Sequence, residues 1–141
     1  MILDTTYMPE DKVALINEKV GESYSLVQRI KMGGAGSHRM VIEEYSPNFR
    51  SILTRNNSTD YCSIELRPNG IIVHIHKRLN SYSWLVPYHL MSIYKSKTFS
   101  IHAAGDFLKL RLDKNYDVNK KLLERMLRYK NERSLQDTLP V

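Results

Sequence analysis

The stretch YCSIELRPNGIIVHIHK, residues 61–77, constrains the fold more than any other part of the chain. Cys62, Ile64 and Leu66 alternate with Ser63 and Glu65. Beyond the turn, Ile71, Val73 and Ile75 alternate with Ile72, His74 and His76. Successive side chains of a strand point to opposite faces, so each half has one apolar face. Pro68 presets one backbone angle and Asn69-Gly70 tolerates positive φ, so RPNG reads as a tight turn. The pattern predicts a hairpin buried on one face, within a run of consecutive antiparallel strands over residues 60–112.

The flanking sequence is read around that hairpin. MPEDKVALINEKVGE, residues 8–22, predicts a short helix. Pro9 suits the first helical position, Glu10 and Asp11 favour the positive end of the dipole, and Gly21 ends it. Its apolar face carries Val13, Ile16 and Val20, with Leu15 at the edge. SYSLVQRIKM (23–32) is then read as a first strand, broken by the glycine-rich residues 33–36. HRMVIEEY (38–45) and FRSILTR (49–55) are further strands, and NNSTD (56–60) is a polar loop. YSWLVPY (82–88) alternates until Pro87, which cannot continue a central ladder. TFSIHAA and FLKLRL form a second hairpin around Gly105-Asp106.

After residue 113 the apolar period lengthens from two to about 3.6. Val118, Leu122, Met126 and Tyr129, joined by Leu123 and Leu127, predict an amphipathic helix over 117–132 capped by Asp117. Lys121, Arg125 and Arg128 fall on its solvent side. The expected fold is α+β: an antiparallel meandering sheet or partly open β-barrel of about seven strands. A short N-terminal helix and a C-terminal amphipathic helix accompany it. The 141 residues suit a single domain, divided into a helical segment (1–21), a sheet (22–113), the closing helix (117–132) and a frayed tail (134–141).

The run from residue 60 to 132 resembles the bacterial branch of the pleckstrin-homology-like (PH-like) domains. The resemblance rests on the 61–77 hairpin, on WLVPYHLMSIYK with Val86, Pro87, Tyr88 and Ile93, on FSIHAAGDFLKLRL and on NKKLLERMLRYK. Residues 1–59 fit the pattern less well. The resemblance implies a non-catalytic binding module for a protein, a peptide or an anionic ligand such as a lipid headgroup. It also implies that Pro87 marks a corner where a strand bends along a barrel rim. Trp84 is then a core residue, with a ligand-facing Trp84 as the alternative.

Chemistry-bearing residues are sparse. His74 and His76 share a strand face and are a candidate metal pair, but a site needs at least a third ligand, and His89 and His102 are the unplaced candidates. A small metal-dependent enzyme is the corresponding function, against two solvated histidines. GGAGSH (33–38) is either a flexible loop or a backbone wrap around phosphate. It matches neither the P-loop nor the dinucleotide fingerprint. Nothing frames a nucleophile, Cys62 reads as a core thiol, and no cofactor is expected.

The net charge is +6, and residues 97–141 hold 10 Lys/Arg against 6 Asp/Glu. Lys77, Arg78, Lys109, Arg111, Lys121, Arg125 and Arg128 are the candidate basic patch for an anionic ligand. A nucleic-acid binder using the basic helix is the alternative function, and a solvated helix surface the plain reading. A single cysteine excludes an intrachain disulfide, which fits a reducing compartment. No leader-like or membrane-spanning run is evident, so a cytoplasmic protein is expected.

Overall fold

The computed structural model describes residues 1–53 and 59–138, with side chains described up to Arg133. The elements are β1 (Ile2–Asp4), α1 (Glu10–Val20), α2 (Leu26–Met32), β2 (Met40–Tyr45), β3 (Tyr61–Arg67), β4 (Gly70–Lys77), β5 (Asn80–Pro87), β6 (Met91–Lys95), β7 (Thr98–Ala103), β8 (Asp106–Arg111), α3 (Lys114–Asp117) and α4 (Lys120–Thr138). The strands form one open antiparallel sheet of order β1-β5-β4-β3-β2-β8-β7-β6. β2 pairs β3 through Met40 and Val41, then β8 from Ile42 onward, with a bulge between Ile42 and Glu44. An extra residue bends a strand, and β2 thereby joins two meanders, β2–β5 and β6–β8.

The expected hairpin is present, with a register that runs from Cys62 opposite Ile75 to Arg67 opposite Gly70. Its glycine is needed for a different reason. Neither Asn69 nor Gly70 takes a positive φ. A Cβ on Gly70 would lie 2.5 Å from the Val86 carbonyl oxygen, 2.8 Å from Pro87 Cα and 2.9 Å from Val20 Cγ1. Gly70 lets β5 and α1 close on the start of β4. The β7–β8 turn does use positive φ, at Ala104 (50°) and Gly105 (86°), matching the twist of the flanking strands.

The inner sheet face buries Cys62, Ile64, Leu66, Ile71, Val73, Ile75, Trp84, Val86, Phe99, Ile101, Leu108 and Leu110. Leu122, Leu123 and Met126 of α4 join this core, with Tyr129 half-buried against it. A second cluster lies on the outer face, where Ile16 and Val20 of α1 meet Ile72 and Leu85 beside Leu3. Trp84 is fully buried, with the edge of its ring against Phe49 (centroids 5.4 Å apart, planes at 86°). Its indole N–H and the buried Tyr88 hydroxyl have no protein partner among the described residues. Pro87 ends β5, and the chain turns through a single 3₁₀ turn, Tyr88–Leu90, into β6.

Several expectations are corrected. Residues 23–32 are not a strand: Ser25 and Gln28 form a reciprocal capping box, which starts helix α2. The described part of 49–55 is not a strand either. A 3₁₀ turn, Pro47–Phe49, is followed by backbone bonds from Ile52 and Leu53 to the Phe49 carbonyl. Phe49, Ile52 and Leu53 are buried at helical spacing, so period 2 was the wrong template. Residues 54–55 of that segment, 56–58 of the polar loop and 139–141 of the tail lie outside the described residues. β1 adds an eighth strand that sequence periodicity did not reveal. The C-terminal helix is two pieces. Asp113, not Asp117, caps the first by accepting from Tyr116 N–H at 3.1 Å. Val118 at the break is exposed, as is Val13 on α1, and α4 runs past 132 to Thr138.

Three substitutions check this packing. Gly70→Ala should destabilise by about 1–3 kcal/mol, as overpacking does, whereas Gly36→Ala, with nothing within 4 Å of its Cβ position, should change stability by under about 0.5 kcal/mol. Trp84→Ala should cost about 3–5 kcal/mol in a denaturant melt. A Trp84→Ala protein that melts like the parent contradicts the core assignment.

Candidate functional site: a polar cleft beneath the N-terminal helices

α1 covers the outer face of β4 and β5 but not of β3. The chain leaves α1 at Gly21, forms α2, and returns along the rim of β3. There Leu66 N–H donates to the Ala35 carbonyl and Ser37 N–H to the Ile64 carbonyl. Between these segments lies a cleft of about 420 Å³. Its floor is Ser63, Glu65 and Arg67 of β3 with His74 of β4. One wall is Ser23, Tyr24 and Arg29, the other Ala35, Gly36 and Ser37.

Arg67 ties the floor to α1. Its Nη1 donates to the Gly21 carbonyl at 2.9 Å and to Asn17 Oδ1 at 3.2 Å, while its Nε holds the Glu65 carboxylate. Glu65 Oε1 also meets His74 Nε2 at 2.9 Å. Burial pushes the Glu65 carboxyl up, but the hydrogen bonds from His74 and Arg67, and their charges, outweigh it and hold it below the usual carboxylate range. The line continues from His74 Nδ1 to Ser83 Oγ at 3.5 Å and from there to Thr5 Oγ1 at 3.0 Å.

An acid, an imidazole and a hydroxyl in line resemble the parts of a nucleophilic triad. The geometry does not make one. Ser83 is buried, and its contact with His74 is longer than a working nucleophile–base bond of about 2.6–3.2 Å. Cys62 is equally withdrawn, and burial pushes its thiol up to about 12. The network holds charge and orients side chains; it presents no attacking group to the cleft.

The candidate basic residues are not gathered into one patch. Lys77 pairs with Asp60 at 2.5 Å, Lys109 with Glu44 at 3.4 Å, and Arg111 with Glu43. Arg78 is exposed at the β4–β5 turn. β3 and β2 separate β4 from β8, a span of roughly 14 Å at ordinary strand spacing. On α4, Lys121 and Arg128 lie in water, with Arg128 3.9 Å from Glu132. Arg125 was expected in water but is half-buried. Its guanidinium donates to the Met32, Gly33 and Gly34 carbonyls at the C-terminus of α2. His74 and His76 do share a face, yet each has its own partner, Glu65 and Ser81. No cluster of three or more His, Cys, Asp or Glu residues suited to a metal occurs among the described residues. His89 is exposed in the turn after Pro87. His102 packs between Tyr94 and Phe107.

GGAGSH forms a wall of the cleft, not a backbone wrap. Gly33, Gly34, Ser37 and His38 all donate their N–H groups within the protein. Sequence reading missed Arg29, Glu65 and Arg67. The signals that would have found them are the capping box placing Arg29 on a helix and the outward positions of Glu65 and Arg67 on the best-defined strand.

Beside the cleft, α2 is secured at both ends yet buries no residue. Ser25 Oγ accepts from Gln28 N–H at 3.2 Å and Gln28 Oε1 from Ser25 N–H at 2.9 Å. Gly33 caps the other end in the left-handed region, and Arg125 grips the carbonyls there. Leu26, Val27 and Ile30 are 66%, 60% and 72% exposed.

Glu65→Gln should lower stability by about 1–3 kcal/mol at neutral pH, the scale for a hydrogen-bonded charge. Because the folded carboxyl is held low, its contribution is present above the ordinary value of 4.5 and disappears as pH falls through the folded value. Melts from pH 7 down to pH 3 should therefore bring parent and Glu65→Gln together at the acid end. A constant gap across that range contradicts the network.

No described helix is long and apolar enough to cross a membrane. No family model, no curated protein and no solved structure matches the chain.

Proposed function

We propose that this chain is a non-catalytic binding module of the PH-like kind, and that it recognises a protein or peptide partner through α2. The observation that carries this reading is the solvated aliphatic face of α2. A seven-residue helix is not self-supporting, and here two caps and Arg125 hold it in place without burying Leu26, Val27 or Ile30. Fixing an apolar surface in water has a cost that a bound partner removes. The only charges on α2 are basic, Arg29 and Lys31, and Arg125 sits at its end. The partner is therefore an apolar groove with an acidic rim, the complement used by helix-in-groove recognition. The strand order supports the PH-like part of the proposal: a four-strand meander and a three-strand meander joined through one bent strand, with a C-terminal helix packed on the inner face.

The test uses Leu26→Ser together with Ile30→Ser. Both positions face water, so the double variant should melt within about 1 kcal/mol of the parent. A partner identified by cross-linking in the native cell and then purified should bind it at least about tenfold more weakly, the scale for a buried apolar anchor. Equal affinity for both proteins contradicts the proposal. Steeply salt-dependent binding to RNA or DNA that Lys121→Gln with Arg128→Gln removes would place function on α4 instead.

A further inference from the structure

We propose that the cleft between β3 and residues 23–37 is a phosphomonoester site, with Arg29 as its principal contact. This deepens the reading of the chain as a binding module by giving it a second ligand, held in the cleft beside the apolar face of α2, with Arg29 between the two.

The argument is a balance of donors and acceptors. The one carboxylate on the floor, Glu65, is already matched by Arg67 and His74. Arg29 lines the cleft with no acidic partner among the described residues. Arg67 has Nε and Nη1 engaged, which leaves its second terminal nitrogen without a protein partner there. Ser37 Oγ accepts from Ile64 N–H at 2.8 Å, so its own proton is free to donate. Ser23 and Ser63 add two uncommitted hydroxyls. The cleft thus offers a surplus of positive charge and several donors; its hydroxyls can also accept, but its one carboxylate is already committed.

A neutral or cationic ligand gains little from such a lining. A carboxylate satisfies one guanidinium through two oxygens. A phosphomonoester brings close to two negative charges at neutral pH and three terminal oxygens, enough for Arg29, Arg67 and the hydroxyls together, and guanidinium–phosphate bonds are among the stronger charge-assisted pairs. The volume of about 420 Å³ is in the range that holds a small organic ligand. The phosphoryl group is accordingly attached to a body, either a free small molecule or a serine side chain of a peptide. The ring of Tyr24 supplies an apolar surface for that body.

The test is an amide chemical-shift titration of the full chain with inorganic phosphate, free phosphoserine and a phosphoserine peptide, at ionic strength fixed with chloride. The expected result is saturable shifts at Ser37, Ser63 and Leu66. Phosphoserine should bind more tightly than inorganic phosphate. Arg29→Gln, an exposed position whose variant should melt like the parent, should weaken binding about tenfold, the loss of one charge-assisted hydrogen bond. A peptide tighter than free phosphoserine assigns the site to phosphorylated protein; no gain from the peptide assigns it to a small molecule. Absence of saturable shifts, shifts located elsewhere, or undiminished binding by Arg29→Gln overturns the proposal. If phosphoesters fail while the α2 double variant still loses its partner, this inference falls and the docking reading stands.

Discussion

The structure depends on one strand that buries its whole inner face and, through Ile72, part of its outer face as well. In β4, Ile71, Val73 and Ile75 enter the inner core while Ile72 faces the other way, and all four are buried. A strand of that kind is stable only if both faces of the sheet are covered. α4 covers the inner face. Among the described residues the outer face is covered by α1, through Ile16 and Val20. At roughly 25 cal/mol per Å² of apolar area, exposing Ile72 and Leu85 to water would cost a few kcal/mol, a large share of the stability of a domain this size. Docking of α1 is therefore part of the fold.

The cleft follows from that docking. Once α1 lies on β4 and β5, the chain must travel from Gly21 back to β2 past β3, and Tyr24 and Met32 pack against the core on the way. It does so by way of α2 and the glycine-rich wall. The Arg67 fork fixes the departure point, since the same guanidinium holds the Gly21 carbonyl and the Glu65 carboxylate. Arg125 fixes the far end of α2 from the opposite layer. Two arginines thus hold a segment with little buried apolar surface of its own, and the polar cleft and the apolar face of α2 are its two sides.

Sequence periodicity was most informative where packing is one-sided. The 61–77 hairpin and the inward positions Leu122, Leu123 and Met126 were legible because apolar residues recur at the period of their element. Residues 23–32 were misread because Leu26, Val27 and Ile30 face water while only Tyr24 and Met32 pack against the core, so a pattern that assumes burial of every apolar residue has no purchase. The capping box of Ser25 and Gln28 was the better signal. The break at Val118 was hidden because Asn119 interrupts the helix through long-range bonds, its side chain pairing with both the N–H and the carbonyl of His38. The cleft could not be read at all: its floor and walls are far apart in sequence, and the backbone bonds of Ala35 and Ser37 to β3 together with the Arg67 link to α1 bring them together. Of the seven basic residues singled out in sequence, most have partners, because charge counted along a chain ignores the carboxylates and carbonyls that tertiary structure places beside it.

The most direct test of this account is hydrogen exchange on the intact chain. The Gly21 N–H is bonded to Asn17, the Asn69 N–H to Val20 and the Leu66 N–H to Ala35, and these three amides report whether the N-terminal segment is built into the sheet. If α1 covers an otherwise solvated strand face, they exchange as slowly as the central amides of β4 and β5, through the same global opening. Exchange of these amides near their intrinsic rates, with β4 and β5 still protected, would mean that the outer face stands without α1, and the cleft would lose its physical basis.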